Sequence, residues 1–320
     1  MAERLSSVPG PALATLTHER FSGDRWVYER KLDGVRSLAY YDGDRAWLRS
    51  RTGGDQGPAF PEVVEALEAQ QCPSFVVDGE VVAFDGAQTS FGALQPRIHL
   101  TNAERARRTG VEIFYYVFDL LHLDGHSTRG LPLRDRKALL RDLFDWEDPL
   151  RFTTHRNADG EKYFAEACRK GWEGLIAKRA DASYPSGRTH DWLKFKCEQG
   201  QEFVIGGWTD PRGSRVGFGA LLLGYYSKGG DLVYAGKVGT GFDTALLRSL
   251  HGQLNDLERS STPFEQGPLL PKKDVHWAEP KLVGNVSFTE WTRDGQLRHP
   301  RFLGLRDDKR PRDVVREVPT

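Results

Sequence analysis

The chain has 320 residues, is 38% hydrophobic and 28% charged, and carries a formal net charge of zero. That composition excludes a mainly disordered chain, and the length suggests about two domains. The even charge balance gives no global sign of a polyanionic partner, so any contact with nucleic acid must come from local basic patches.

In chain order, "WVYERKL", "VRSLAYY" and "RAWLRS" read as strands, rich in Val, Tyr and Trp and bounded by turn residues. "PEVVEALEAQ" reads as a helix, with Pro61 suited to its first turn and Val63, Val64 and Leu67 on one face. "SFVVDGEVVAF" reads either as one strand or as a hairpin turning at Asp78–Gly79. "EIFYYVFDLLHL" is a further strand, followed by the helical patterns "PLRDRKALLRDLF" and "KYFAEACRKG", with Gly171 placed to end the second. "GLIAKR" and "DWLKFK" return to strand, and in the latter Lys194 and Lys196 alternate onto one side. Strands mixed with short helices point to an antiparallel α+β domain over 1–199. Past residue 200 the texture changes to glycine-punctuated strands such as "EFVIGGW", "GALLLGYY" and "DLVYAGKVG". One helix follows, "DTALLRSLHGQLNDL", with Asp243 as its N-cap. About five strands and one helix over 200–320 suit a small barrel of the OB-fold type. The tail from Arg293 to Arg316 is the most basic stretch.

Other classes find no support. No P-loop pattern and no HExxH occurs. The start "MAERLSSVPG" lacks the apolar stretch of a signal peptide, and no apolar run reaches the roughly 18 residues of a membrane span. Cys72, Cys168 and Cys197 are widely spaced and form no CxxC pair, so neither a disulfide framework nor a cysteine zinc site is expected, and the setting is expected to be a reducing cytoplasm.

"ERKLDGVR" sets Lys31 at a strand end beside Glu29, Asp33 and Arg36. Taken alone, such a lysine can be a solvated turn charge. It becomes a nucleophile only after losing a proton, from a reference pKa of about 10.4, which nearby cations or desolvation can lower. Likewise Phe118 in "YYVFDLLHL" can be a core aromatic, and Lys194 and Lys196 a solvated basic face.

Seven segments in order, from residue 28 to 309, nevertheless resemble the motifs of ATP-dependent DNA ligases: "ERKLDGVR", "SRTG", "VVDGEVVAFD", "YYVFDLLHLDG", "EGLIAKR", "DWLKFK" and "LRHPRFLGLRDDK". The resemblance implies an adenylation domain followed by an OB-fold domain. It implies that Lys31 is the adenylated lysine, with Asp33, Lys194 and Lys196 as its catalytic company. Arg51 would contact the ribose or the nick phosphate, Phe118 would stack on adenine, and Glu29, Arg36, Glu80 and Lys178 would line the ATP site. Glu80 and Glu173 would hold Mg²⁺ or Mn²⁺, and Arg306, Asp308 and Lys309 would form the C-terminal motif that meets ATP. "PALATLTHERFSGDRWVYERKLDG", "FGALLLGYY" and "AGKVGTGF" are similar to the small bacterial ligases of the end-joining type.

The expected reaction is sealing of a 5′-phosphate/3′-hydroxyl break in duplex DNA through lysyl-AMP and a DNA-adenylate, in repair by non-homologous end joining. Ku and a repair polymerase are expected partners of a monomer associated with the nucleoid. About 27 residues precede the Lys31 strand. The expectation is therefore a ligase without a large N-terminal helical domain, either stand-alone, which the initial Met favours, or a module of a larger protein. The alternatives are an RNA ligase or capping-type nucleotidyltransferase, and a non-catalytic OB-type nucleic-acid binder.

Overall fold

The computed structural model describes residues 10–197, 199–268, 274–292 and 294–317. The apolar-poor start and Arg293 of the basic tail therefore lie outside the described residues. The chain divides after Cys197 into two compact units.

The first unit opens with β1 (Ala12–Leu16), β2 (Gly23–Lys31), β3 (Val35–Tyr41) and β4 (Ala46–Ser50). Then come α1 (Pro61–Glu68), β5 (Phe75–Val82), the small hairpin β6 (Phe84–Asp85) and β7 (Gln88–Thr89), α2 (Phe91–Ile98) and α3 (Ala103–Arg108). β8 (Phe114–Leu123), β9 (His126–Ser127), α4 (Leu133–Leu143), β10 (Leu150–Phe152) and β11 (His155–Ala158) follow. The unit closes with α5 (Gly160–Arg169), β12 (Gly174–Arg179) and β13 (Gly187–Lys196).

These strands form two sheets, one in the order β1-β13-β12-β2-β11 and the other β10-β8-β5-β3-β4, with β9 added beside β8. Most neighbours are antiparallel; β1–β13 and β10–β8 are parallel. An apolar cluster of Ala12, Leu38, Tyr40, Val76, Phe118, Leu121, Tyr184 and Trp192 joins residues of both sheets. A larger core under the second sheet gathers Leu48, Phe60, Val63, Leu67, Phe75, Val77, Phe91, Tyr115 and Leu140.

"VVDGEVV" is one continuous strand, β5, rather than a hairpin. Gly79 is there for packing: a Cβ at that position would lie 2.4 Å from the Tyr115 ring. On α4 the buried positions are Leu133, Arg136, Lys137 and Leu140, the i, i+3, i+4, i+7 set of one helical face, while Leu139 is 41% exposed. Two of the four inward positions are therefore charged. Arg136 and Asp119 meet with neither side chain exposed, through Nε–Oδ1 at 2.6 Å and Nη2–Oδ2 at 2.9 Å.

The cysteine expectation is corrected. Cys168 of α5 and Cys197 are disulfide-bonded, with Cα atoms 5.3 Å apart. Their separation of 29 residues hid the pairing, because the antiparallel return of β13 along β12 brings Cys197 back beside the residues that follow α5. Cys72 is free.

The second unit contains β14 (Gln199–Thr209), β15 (Leu221–Tyr226), β16 (Leu232–Val238), α6 (Thr244–Asn255) and β17 (Glu258–Arg259). It ends with β18 (Val275–Phe288), β19 (Glu290–Trp291), β20 (Leu297–Arg298) and β21 (Arg301–Leu305). Its main sheet runs β16-β15-β14-β18-β17, with β21 pairing β18, an OB-fold. Asp243 caps α6 by accepting from the Leu246 N–H at 2.8 Å. Leu247, Leu250 and Leu254 of that helix pack on Phe203, Ile205, Trp208 and Leu221. Among the described residues no helix is long and apolar enough to cross a membrane.

Candidate functional site

Strand register builds the site. β12 lies between β2 and β13, and the Cα pairing runs Lys31–Gly174–Lys196 in one row and Glu29–Ile176–Lys194 in the next. A third row is Val27–Lys178–Trp192. Directly opposed residues share a face, and positions two apart keep to it. One face of this sheet thus presents Glu29, Lys31, Lys178, Trp192, Lys194 and Lys196. The glycine in the first row is required: Gly174 has φ +150°, and a Cβ there would lie 1.8 Å from the Phe195 carbonyl oxygen.

The second sheet supplies the facing residues. Arg36 of β3 is opposite Glu80 of β5. Arg36 is fixed by Asp78, with Nη2–Oδ2 at 2.6 Å, and donates to the Ala12 carbonyl at 3.2 Å. Asp78 is fully buried and also accepts the Tyr184 hydroxyl at 2.5 Å. Burial opposes the charge on Arg36, but Asp78 outweighs it and holds the guanidinium firmly protonated. The Arg36 guanidinium lies 4.6 Å from the Phe118 ring centroid, and Phe118 is only 7% exposed.

Lys31 Nζ pairs with the Glu173 carboxylate. Burial pushes the Lys31 pKa down, but Glu173, then Asp33 and Glu80, outweigh it and leave the amine above its ordinary value. Asp33 has a second engagement, since its Oδ2 accepts the Phe91 N–H that starts α2, at 3.1 Å. Glu173 sits in the turn before β12, and its carbonyl accepts the Cys197 N–H at 3.0 Å. Glu29 is 2% exposed, with Lys137 Nζ and Lys178 Nζ each 2.6 Å from its carboxylate. Burial raises the Glu29 pKa, yet Lys137 and then Lys178 hold it below the ordinary carboxylate value. Lys178 is lowered by burial, only partly offset by Glu29.

The register therefore brings together Glu29, Lys31, Lys178, Lys194 and Lys196, and electrostatics links Lys31 to Asp33, Glu80 and Glu173. Arg51 follows β4 in the tight turn where the Gly53 N–H donates to the Ser50 carbonyl at 2.9 Å, next to the Ser37–Ser50 pair of β3 and β4. Arg306, Asp308 and Lys309 belong to the second unit. There Arg306 grips Asp308 through two bonds of 2.8 and 2.9 Å, and Lys309 pairs Glu202 at 2.9 Å. Sequence reasoning missed Lys137, Asp78 and Trp192. Lys137 carried a usable signal, because it occupies an inward position of an amphipathic helix.

Among the described residues no cluster of three or more Asp, Glu, His or Cys is already assembled for a metal. The acids around Lys31, Glu173 above all, offer hard oxygen donors, and the donor chemistry fits Mg²⁺ or Mn²⁺ completing its shell with phosphate oxygens.

A family model described as ATP dependent DNA ligase domain matches residues 11–196, and one described as ATP dependent DNA ligase C terminal region matches residues 214–309. The chain is 39% identical over 317 residues to the multifunctional non-homologous end joining protein LigD of Pseudomonas aeruginosa, covering 97% of this chain and 36% of that protein. It is 38% identical over 314 residues to the multifunctional non-homologous end joining DNA repair protein LigD of Mycobacterium tuberculosis, covering 96% of this chain and 40% of that protein. The chain thus spans two fifths or less of the length of these relatives. A solved structure of mycobacterial DNA ligase D complexed with ATP and MES aligns with a TM-score of 0.69 at 35% identity, covering 97% of this chain and 98% of that one. A match to each half of the chain, around a lysine set among acids and further lysines on one sheet face, has one reading: the chain belongs to the ATP-dependent DNA ligase family.

Proposed function

We propose that the chain seals 5′-phosphate/3′-hydroxyl breaks in duplex DNA, with Lys31 as the residue that carries AMP, and that it serves end joining. The observation that carries this reading is the Lys31 amine, paired with Glu173 and in the same sheet row as Lys196, across the single intervening strand β12. In the first step Lys31 Nζ would form a bond to the α-phosphorus of ATP as the bond to pyrophosphate breaks and the amine proton departs. AMP would then pass to the 5′-phosphate of the break, and the 3′-hydroxyl would displace it. Each step is phosphoryl transfer, so alignment and charge neutralisation are the main demands on the protein.

Lys194 and Lys196 would supply fixed positive charge to the α-phosphate oxygens. Phe118 would offer its face to adenine, with Glu29, Arg36 and Lys178 around the base and sugar, and Arg51 would contact the ribose or a DNA phosphate. Glu80 and Glu173 would hold Mg²⁺ or Mn²⁺, which adds charge neutralisation at the phosphates. Arg306 and Lys309 of the second unit would meet the β- and γ-phosphates. Ku and a repair polymerase are the proposed partners, as expected for a chain similar to end-joining proteins.

The test is intact-mass measurement after incubation with ATP and Mg²⁺ or Mn²⁺, followed by sealing of a nicked duplex. The wild-type chain should gain one AMP, and Lys31→Ala should gain none. An adduct retained at wild-type level in Lys31→Ala overturns the assignment. Parallel reactions with GTP and with an RNA nick separate the capping-type and RNA-ligase alternatives. Sealing should weaken steeply with added salt, since contacts to DNA phosphates release counterions.

A further inference from the structure

The Glu29 carboxylate serves two ammonium groups, and they are held in different ways. Lys137 of α4 is 3% exposed and donates both to Glu29 Oε1 at 2.6 Å and to the Thr153 carbonyl at 2.9 Å. Its Nζ also lies 4.8 Å from the Phe152 ring centroid. Lys178 of β12 is 2% exposed and reaches Glu29 Oε2 at 2.6 Å, but its Nζ has no aligned hydrogen bond among the described residues. Instead it rests on aromatic faces, 4.2 Å from the Phe118 centroid and 4.1 Å from that of Trp192. One carboxylate with two ammonium groups leaves one positive charge in surplus, so either lysine alone neutralises Glu29.

Phe118 is nearly closed off, with two cations over its ring. Arg36 is anchored by Asp78 and cannot leave without stranding a fully buried carboxylate. Lys178 is the movable one. A base stacked on Phe118 with centroids about 4.5–5 Å apart needs space that a cation over the ring now takes.

We propose that Lys137 is a positioning residue for nucleotide recognition: it keeps Glu29 neutralised and in place, so that Lys178 can leave the Phe118 ring when the base enters. This rests on the nucleotide-site reading given above. Without Lys137, withdrawing Lys178 would leave Glu29 buried and unpaired, a costly state, so Lys178 would stay pinned on the ring and oppose the base. With Lys137, Glu29 keeps one ammonium on Oε1 while Oε2 becomes a free acceptor. Adenine carries an amine donor at its 6-position and guanine a carbonyl oxygen, so a carboxylate oxygen favours the first and repels the second. Lys137 thereby acts on ATP affinity and on the preference for ATP over GTP without touching the nucleotide.

The test compares the full chain with Lys137→Met, Lys137→Arg and Glu29→Gln/Lys137→Met. The initial rate of nucleotidyl-Lys31 formation is read by intact mass across ATP and GTP concentrations. Sealing of a nick that already carries AMP on its 5′-phosphate is measured alongside. Lys137→Met should raise the apparent KM for ATP by at least about tenfold, the range for truncating one partner of a buried charge pair. Its maximal rate and its sealing of the pre-adenylated nick should change far less. Lys137→Arg should restore the KM. The double variant should bind ATP better than Lys137→Met, because Lys178 is no longer pinned, while the ATP-over-GTP preference stays lost.

An unchanged KM and preference in Lys137→Met overturns the proposal. So does a parallel loss of KM, maximal rate and pre-adenylated sealing that arginine does not rescue, since that marks a purely structural lysine. If Lys137→Met does not fold, Lys137→Gln decides: an unchanged KM and ATP-over-GTP preference in it overturns the proposal, and a raised KM with a weakened preference and intact pre-adenylated sealing supports it. Failure of the nucleotide-site reading is distinct, because the wild-type chain itself would then form no AMP adduct on Lys31.

Discussion

Replacing Arg136 with methionine tests whether α4 is fastened by charge rather than by shape. Arg136 and Asp119 are both fully buried, joined at 2.6 and 2.9 Å, and Arg136 Nη1 also donates to the carbonyls of Leu131 at 2.6 Å and Ala182 at 3.0 Å. In Arg136→Met the Asp119 carboxylate keeps the Leu120 N–H at 2.9 Å but loses its directly paired cation. Breaking a buried pair costs about 3–5 kcal/mol, and two carbonyls losing their donor add roughly 1 kcal/mol or more. The expected loss is about 4–6 kcal/mol, a large share of the stability of a domain this size. Arg136→Met/Asp119→Leu removes the stranded charge and should recover most of it. Pulse proteolysis of the full chain across a urea series, scoring survival of the first unit, measures both variants. A single variant within about 1 kcal/mol of wild type refutes the reasoning. So does a double variant no more stable than the single, because the cost would then lie in shape and not in the unpaired carboxylate.

Three further outcomes are expected. Gly174→Ala puts a Cβ 1.8 Å from the Phe195 carbonyl oxygen, so the Lys31–Gly174–Lys196 row must open; AMP-adduct formation should fall by at least about tenfold, and a wild-type rate would show that the row does not matter. Lys309→Ala should block adduct formation yet still seal a pre-adenylated nick, and normal adduct formation would end its proposed role at the β- and γ-phosphates of ATP. His276 bonds Glu258 and Asp210 at 2.9 Å each, and Glu258 first, then Asp210, outweigh its partial burial and raise its pKa. Its stabilisation is therefore full below the unfolded value of about 6.5 and fades as pH rises through the higher folded value. His276→Ala should lower Tm more at pH 5.5 than at pH 8.5, by an increment under about 1 kcal/mol given its exposure; equal losses at both pH values would sink this account.

Much of the site was legible because strand periodicity is rigid. Lys194 and Lys196 had to share a face, and register then set them in the same rows as Glu29 and Lys31, across β12. Where the residues had two meanings, sequence could not choose. Asp78–Gly79 looks like a turn, but the glycine answers to Tyr115, a contact 36 positions away that no local pattern displays. α2 passed unnoticed because Pro96 sits inside it, yet Ser90 and Asp33 satisfy its first N–H groups and the helix is short. On α4 the exposed Leu139 and buried Lys137 invert the usual sorting of apolar and charged residues. The reason lies on β2 and β8, where Glu29 and Asp119 wait for partners.

The Cys168–Cys197 bond makes the chain a closed ring between α5 and the end of β13, and that ring encloses Glu173, Lys178, Lys194 and Lys196. Closing a loop of 29 residues removes roughly 3–4 kcal/mol of unfolded-chain freedom by the polymer estimate. Reduced and oxidised preparations are therefore different molecules at this address. Thiol reagents added as routine preservatives would change how firmly Glu173 and Lys196 are tied together, so rates measured with and without them belong to two separate series.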